Sequence, residues 1–384
     1  MIDYEILFWI VVALIGYVYV GYPGLVWLWA IRHPHPVRRA TTVPRVSIVV
    51  VAHNEADRIG RRLENLLSLD YPRDHLEILV GSDGCTDGTA AIARTYESAG
   101  VTVLAFEQRR GKSAVLNDLV AKARGDIVVL ADARQRFEAP VIQALVKPFA
   151  DPRVGAVSSE LILTHDSDGA SVGEGVGFYW RYEKFIRGNE SQVDSTVGAT
   201  GAVYAIRREL FEPIPDDTIL DDVFVPLRIS RRGYRVLFEP GARAFDRAAS
   251  TTTEEFARKV RTIAGNFQLF LRERWVLNPI ANRLWLQTVS HKGLRLLLPV
   301  LHAAALCLNL LLAADPLYGA ILTVQILFYC AALAGHALRK VSTPTPVLSV
   351  PYVVCVLNYA TLVGFLRLVT GRQRATWEHT SRRA

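Results

Sequence analysis

"VSIVVVAHNE", Val46 to Glu55, stays apolar without alternation as far as Ala52 and then turns polar. A strand with one wet face would alternate, whereas a continuous apolar run closed by a polar turn belongs to a strand covered on both faces, as in a parallel sheet. Three later segments read the same way: "LEILVGSD" from Leu76, "VTVLAF" from Val101 and "DIVVLADA" from Asp126. Between them the period changes. "ADRIGRRLENLLSL" carries Ile59, Leu63, Leu66 and Leu67 at helical spacing, and "TAAIARTYESAG" ends on a glycine suited to a helix C-terminus. From Val43 to about Ala249 the chain is therefore expected to form an open α/β sheet. Ligands of such sheets bind beyond the carboxyl ends of the strands, so the loops after the first, second and fourth strands should converge on one crevice.

Those loops read "HNEADR", "GSDGCTDGT" and "ADARQ". Asp83 and Asp87 lie in a Gly-rich turn before a helix, where a carboxylate can accept from a base or ribose hydroxyl and helix-terminal amides can face phosphate. The same residues also serve as a turn and a helix cap. An EF-hand is not matched, because its remaining acidic positions are missing. "RRGKSAVLND" resembles a Walker A motif at Gly111, Lys112 and Ser113, but Phe106 stands where the first glycine is required, so no P-loop is present.

The ends of the chain belong to lipid. Of 384 residues, 51% are hydrophobic, high for a soluble protein. "ILFWIVVALIGYVYVGYPGLVWLWAI", Ile6 to Ile31, carries no charge and is long enough to span. Asp3 and Glu5 precede it and "RHPHPVRR" follows, so the positive-inside rule puts the N-terminus outside and residue 40 onward in the cytoplasm. A signal peptide would need a basic start and a small-residue cleavage site, and neither is there. Three more apolar runs begin at Leu294, Leu317 and Val347, and "VLNPIANRLWLQTVSH" before them suits an amphipathic interfacial helix. Three spans after a cytoplasmic domain would leave the basic tail "GRQRATWEHTSRRA" outside, against its charge; either the rule fails locally or one run is re-entrant or interfacial. The expected organisation is an anchor with its basic juxtamembrane segment over 1–40, the α/β domain over 41–270, an interfacial helix over 271–292, about three spans over 293–370 and a tail over 371–384. The formal charge of +7 comes without a basic stripe interleaved with aromatics, so lipid headgroups and phosphate ligands, not nucleic acid, are the expected partners. Cys85, Cys307, Cys330 and Cys355 have no disulfide or metal spacing.

Seven motifs occur in a set order: "VSIVVVAHNE", "GSDGCTDGT", "RGKSAVLND", the acidic "ADA", "TGAVYAIRR", "LDDVFVPLRISRRGYRV" and "RKVRTIAGN". Together they resemble the membrane-integrated family 2 glycosyltransferases, relatives of hyaluronan, chitooligosaccharide, poly-N-acetylglucosamine and cellulose synthases, over roughly residues 43 to 270. The resemblance implies a GT-A fold, a mostly parallel Rossmann-like sheet, flanked by transmembrane helices in a multi-pass protein of the plasma (inner) membrane with its catalytic domain in the cytoplasm. It implies an inverting transfer from a UDP- or GDP-sugar to a growing exopolysaccharide or lipid-linked glycan, either as a polymerising synthase or as a single addition to a polyprenyl-linked acceptor.

By the same resemblance His53, Asn54, Glu55, Asp83 and Asp87 hold the donor nucleotide, with Lys112 nearby. Thr200 and Gly201 line the acceptor site. Asp222 is the general base, since an inverting transfer needs a carboxylate within reach of the acceptor hydroxyl, and Asp221 orients it; the pair can also be read as an N-cap. Gln-x-x-Arg-Trp of the polymer synthases appears as "RKVRT", with Arg258 for Gln, Arg261 retained as a diphosphate ligand, and Thr262 for Trp. Asp132 matches the first acid of Asp-x-Asp and Arg134 replaces the second. Either Asp132 still holds Mg2+ or Mn2+ with water and the donor, or Arg134 supplies the positive charge directly. A reading of another class is a catalytically inactive nucleotide-sugar sensor attached to a secretion partner; oligomerisation is a further expectation for a polymerising enzyme with so few helices.

Overall fold

The computed structural model describes residues 3–164, 173–247, 251–338, 345–373 and 376, with the side chains of 173–178 outside the description. Its centre is an eight-stranded sheet in the order β3-β2-β1-β4-β7-β6-β8-β5. Strands β1 (Val46–Ala52), β2 (Leu76–Asp83), β3 (Val101–Phe106) and β4 (Ile127–Asp132) are parallel, with Val46 opposite both Leu76 and Ile127. These are the four segments whose apolar runs do not alternate. Ile48, Val49 and Val50 have no exposed surface. Ile48 and Val50 join the core under helix α3 (Ala56–Leu67), whereas Val49 joins the opposite core. Each such side chain contributes about 1.5–3 kcal/mol on leaving water.

Beyond β4 the sheet changes hand. β7 (Val203–Arg207) runs antiparallel to β4 and to β6 (Val154–Thr164), β8 (Arg235–Arg247) runs parallel to β6, and the two-residue β5 (Arg136–Phe137) closes the edge. Helices α4 (Thr89–Arg94), α5 (Lys112–Lys122) and α6 (Val141–Val146) follow β2, β3 and β5. Helix α7 (Gly173–Val193) precedes β7, and the glycosyltransferase-like motifs of the second half lie on β7, α8 (Asp221–Arg231) and α9 (Thr252–Arg272).

Among the described residues, four helical segments have the length and composition to cross a membrane. In the first, α1 (Tyr4–Gly16) and α2 (Tyr22–Arg32) run through a π-helical turn. In the second, α10 (Trp285–Gln287) runs through another into α11 (Leu294–Leu312). The others are α12 (Pro316–Leu338) and α13 (Pro346–Val369). Val20, Leu311, Val324, Leu333 and Val369 stand exposed on them, as lipid-facing side chains do.

One expectation is corrected here. Residues 271–292 do not form a single amphipathic helix: α9 ends at Arg272, a 3-10 turn covers Arg274–Leu277, and Trp285 already begins the second apolar segment. Asn278 precedes a proline, which disfavours helix, and its side chain caps the amides of Ile280 and Ala281 at 2.9 and 3.3 Å. The amphipathic role falls to α9, which buries Val260, Ala264 and Leu269.

The apolar helices are tied to the α/β domain at two places. At one, Tyr22 donates to Glu190 at 2.5 Å, and His291 lies 2.9 Å from Glu190 and 3.0 Å from Glu183. Arg295 also pairs with Glu183. At the other, α13 lies along α9: Phe256 stacks on Tyr359, Phe267 meets Phe365, and a Cβ on Gly364 would touch Val260 and Ile263 at 3.1 Å. Leu368 reaches the core of the α/β domain, and Thr376 comes within 3.6 Å of where a Cβ on Gly111 would sit. The end of α13 thus returns to the domain.

Candidate active site

The crevice forms at the carboxyl ends of β1, β2 and β4, where the strand arrangement predicts it. His53 Nδ1 lies 2.6 Å from the carbonyl of Asp83. Asn54 takes a left-handed backbone, φ 53°, and its side-chain Oδ1 accepts from the Thr86 amide at 2.8 Å. The Glu55 amide donates to the Thr89 hydroxyl at 2.8 Å. These contacts staple the first loop to the second.

The two turn aspartates are fasteners of the same kind. Asp83 is buried and accepts from the amides of Arg110 and Gly111 at 2.6 and 2.9 Å, which draws the loop before α5 against Gly84. Gly84 has φ 55°, and a Cβ there would stand 2.3 Å from the Arg109 nitrogen, so no larger residue fits. Asp87 accepts from Ala56 at 3.1 Å and from the amide and hydroxyl of Thr89 at 3.0 and 2.5 Å. The turn-and-cap reading describes their contacts here.

Deeper in, charges converge. Lys112 opens α5 and places its Nζ 3.0 Å from Asp132 Oδ1 and 3.1 Å from Asp221 Oδ1, so an ammonium bridges the end of β4 and the start of α8. Burial favours the neutral amine, but the two carboxylates outweigh it and hold the Lys112 pKa above that of a free lysine. Asp132 is shifted the matching way: burial would raise it, yet Lys112 and then Arg134 pull it below the usual carboxylate range. Arg261, on α9, is buried toward the same acids; burial lowers its pKa against the opposing fields of Asp221, Asp222 and Asp132. Arg134 pairs with Asp246 on β8 at 3.1 Å while remaining within the field of Asp132.

Asp222 differs from its neighbours. Burial first, then the adjacent Asp221, push its pKa up to about 6, against the opposing fields of Lys112, Arg187 and Lys292. Its carboxylate lies over Gly201: a Cβ there would come within 2.8 Å of Asp222 Oδ2. Thr200 is buried beside it, its hydroxyl donating to the Ser159 carbonyl at 3.0 Å and accepting from Arg187 at 2.9 Å. Asp221 receives the Tyr204 hydroxyl at 3.4 Å. A buried carboxylate of raised pKa is suited to taking a proton near neutral pH, and the cations around Asp132 are suited to phosphate oxygens.

The structure therefore brings Asp132, Lys112, Asp221, Asp222, Thr200, Gly201 and Arg261 together, with Arg134 at the margin. Arg258 stays outside: its guanidinium pairs with Glu254 one helical turn away. Two contributors carry no motif. Arg187 reaches Thr200 from α7, and Arg62 is buried behind the Asp132 loop, donating to the Gln135 carbonyl at 2.9 Å and covering the Phe137 ring. The helical stripe Ile59–Leu63–Leu66 hides Arg62 among surface arginines of the same segment, so only the fold singles it out.

A divalent ion is implied by the Asp-x-Asp position. Among the described residues no three His, Cys, Asp or Glu side chains gather as metal ligands. Asp132 already holds the Lys112 ammonium, and the second acid is an arginine directed at Asp246. These protein groups alone do not complete an ion's coordination, so an ion beside Asp132 would take its remaining oxygens from water and the donor diphosphate.

Known proteins resemble this chain. The chain is 25% identical over 307 residues to the beta-monoglucosyldiacylglycerol synthase of Synechocystis sp., covering 76% of this chain and 63% of that one. It is 24% identical over 233 residues to the poly-beta-1,6-N-acetyl-D-glucosamine synthase of Staphylococcus aureus, covering 59% of this chain and 56% of that one. The chain thus spans less than two thirds of either relative. A mannosyltransferase from Pyrobaculum calidifontis, solved with GDP-Man and Mn2+, superposes with a TM-score of 0.73 at 25% identity over 95% of this chain and 99% of that one. Residues 47–214, which include Lys112, Asp132, Thr200 and Gly201, match the family described as Glycosyl transferase family 2, and this part of the chain is a family 2 glycosyltransferase domain with a GT-A-type fold.

Proposed function

We propose that the protein is a membrane-bound inverting glycosyltransferase that moves a sugar from a UDP- or GDP-activated donor to a lipid-linked glycan or exopolysaccharide, with its α/β domain in the cytoplasm. The observation that carries this reading is Asp222: a buried carboxylate raised to about 6, held over the Thr200–Gly201 floor and beside the cation cluster of Lys112, Arg134 and Arg261. In the reaction the acceptor hydroxyl gives its proton to Asp222 as its oxygen bonds to the anomeric carbon. The bond from that carbon to the diphosphate breaks on the opposite face, which inverts the configuration. Negative charge then grows on the leaving diphosphate, and Arg261, Arg134 and Lys112 meet it in a buried, preorganised setting. No step is assigned to a metal.

The named activities of the relatives support both polymer and glycolipid products. Thr262 in place of the tryptophan that supports the acceptor sugar in polymer synthases favours a single addition. The docking of α13 along α9 supports an interfacial α13, which keeps the basic tail on the domain's side and agrees with the positive-inside rule. A sensor would have no use for a base over an acceptor floor. The test is release of nucleoside diphosphate from a panel of nucleotide sugars by the protein in nanodiscs supplied with lipid extract, with the product's anomeric configuration read by NMR. Turnover giving the donor's configuration inverted is expected; a retained configuration would sink the mechanism, and no turnover with any donor would favour the sensor.

A further inference from the structure

At the starts of β6 and β8, the end of the sheet away from the crevice, a cavity of about 280 Å3 is lined by His35, Arg153, Asp194, Gly233, Arg235 and Arg283. Hydrogen bonds join its walls. Arg235 is buried and donates from Nε to the Asp194 carbonyl at 2.8 Å, from Nη1 to the His35 carbonyl at 2.9 Å and from Nη2 to the Ser191 carbonyl at 2.8 Å. Arg283 Nη2 lies 3.1 Å from Asp194 Oδ1 and donates to the Tyr234 carbonyl at 2.7 Å and to Ser195 Oγ at 3.3 Å. Arg153 grips Asp151 through Nε and Nη2 at 3.0 and 2.7 Å, and its Nη2 also reaches the Pro36 carbonyl at 3.5 Å.

Three guanidiniums here meet two carboxylates. Asp151 is taken by Arg153 and Asp194 by Arg283, so Arg235 is left with neutral carbonyls and has no ion pair among the described residues. A buried charge is stable when it is paired. Burial opposes the charge of Arg235 most, Asp194 and Asp151 support it, Arg153 and Arg283 oppose it, and the balance holds its pKa below that of a free arginine. Donors are also left over: Arg283 Nε and Nη1 and Arg153 Nη1 make no hydrogen bond among the described residues. The cavity sits where two apolar segments meet water. The first ends at Arg32, three residues before His35, and the second begins at Trp285, two residues after Arg283. Beside them Ile280 is 94% exposed, which suits a side chain resting in lipid.

We infer that this cavity is a phosphate-binding site at the membrane surface, its phosphate carried by the headgroup of an anionic phospholipid or present as the free ion. Guanidinium forks match phosphate oxygens, and acidic lipids set the negative potential of a cytoplasmic leaflet. One phosphate charge gives Arg235 the counter-charge that its carbonyl partners lack. The site lies apart from the donor and acceptor residues, so the inference rests on the membrane placement proposed above and not on the transfer chemistry. When occupied, it fastens the exit of the first apolar segment, through His35, and the entry to the second, through Arg283, to β8 and the end of α7.

The test uses the full chain in maltoside micelles. One arm follows by native mass spectrometry the retention of dioctanoyl phosphatidylglycerol against dioctanoyl phosphatidylcholine at equal concentration; the other follows inorganic phosphate by equilibrium dialysis. A preference of roughly tenfold for phosphatidylglycerol is expected, and the pair Arg153→Gln, Arg283→Gln should bring the two lipids within about twofold of each other. The pair Arg153→Lys, Arg283→Lys should keep most of the preference, and Arg32→Gln, Arg38→Gln, outside the cavity, should leave it as in the native chain. Saturable binding of inorganic phosphate that the cavity glutamine pair abolishes, with no lipid preference, would uphold the site and name the free ion as its ligand. Binding in neither arm would overturn the inference, as would a preference that survives the cavity glutamine pair. A preference that falls equally with Arg32→Gln, Arg38→Gln would also overturn it, since that is the general attraction of a basic segment to acidic lipid. A chain that stays in solution without detergent would refute the membrane placement, and the headgroup ligand with it.

Discussion

Replacing Gly201 by alanine probes the base without touching it. A Cβ at 201 would lie 2.8 Å from Asp222 Oδ2, 3.3 Å from its Cγ and 3.6 Å from its Cβ. Ordinary contact begins at 3.4 Å, so the carboxylate has to retreat by about 0.6 Å or rotate off its rotamer at a cost of about 0.5–1.5 kcal/mol. The main chain gives little relief, because the Ala199 amide donates to the Asp222 carbonyl at 2.7 Å and the Thr200 amide to Ser158 at 2.8 Å. A misplacement of about 1 Å costs on the order of a hundredfold in rate, so Gly201→Ala should lower kcat by roughly 10- to 100-fold. Donor affinity should stay within about twofold and the unfolding temperature within a few degrees. The assay is nucleoside diphosphate release in nanodiscs beside calorimetric donor binding. A variant with native kcat would show that Asp222 does not work from this position.

Other consequences follow from the charges. Asp222 acts as a base only when ionised and its pKa is raised to about 6, so kcat should fall about tenfold per unit below that pH. Asp221→Asn removes the largest charge that raises it and should move the inflection to lower pH; an unmoved inflection would assign the titration to another group. Lys112→Ala strands Asp132 and Asp221 as buried carboxylates without their cation, and loss of one member of a buried pair costs about 3–5 kcal/mol; a drop in unfolding temperature of several degrees is expected, and an unchanged one would mean water replaces the lysine. Chelation by EDTA should leave most of the turnover, since the chain's cations face the diphosphate; abolition restored by Mn2+ would show that Asp132 releases Lys112 to take an ion.

The first half of the domain was legible because a sheet covered on both faces writes itself as unbroken apolar runs, and β1 to β4 fall on those runs. The apolar ends were legible for a similar reason: lipid demands length and lack of charge, which are properties of sequence alone. Partnering is not. Nothing local distinguishes Arg258, which turns back to Glu254, from Arg261, three residues on and buried toward the acids; the helix rotation decides. Asp83 and Asp87 read both as ligands and as turn caps because carboxylates serve either, and here amides of Arg110, Gly111, Ala56 and Thr89 donate to them. Arg134 was ambiguous until β8 supplied Asp246, a residue more than a hundred positions away. The break at Asn278 was readable from its following proline but was outweighed by the amphipathic pattern around it. Arg187 carried no signal, because its contact with Thr200 depends on how α7 packs against the acceptor floor.

The central claim is that Asp222 takes the acceptor's proton during sugar transfer. Its most direct test is Asp222→Asn in nanodiscs, with sugar transfer and donor binding measured on the same preparation. The account predicts transfer reduced at least about a hundredfold with donor affinity close to native. Transfer at the native rate would contradict it and leave the acceptor side of this crevice without its base.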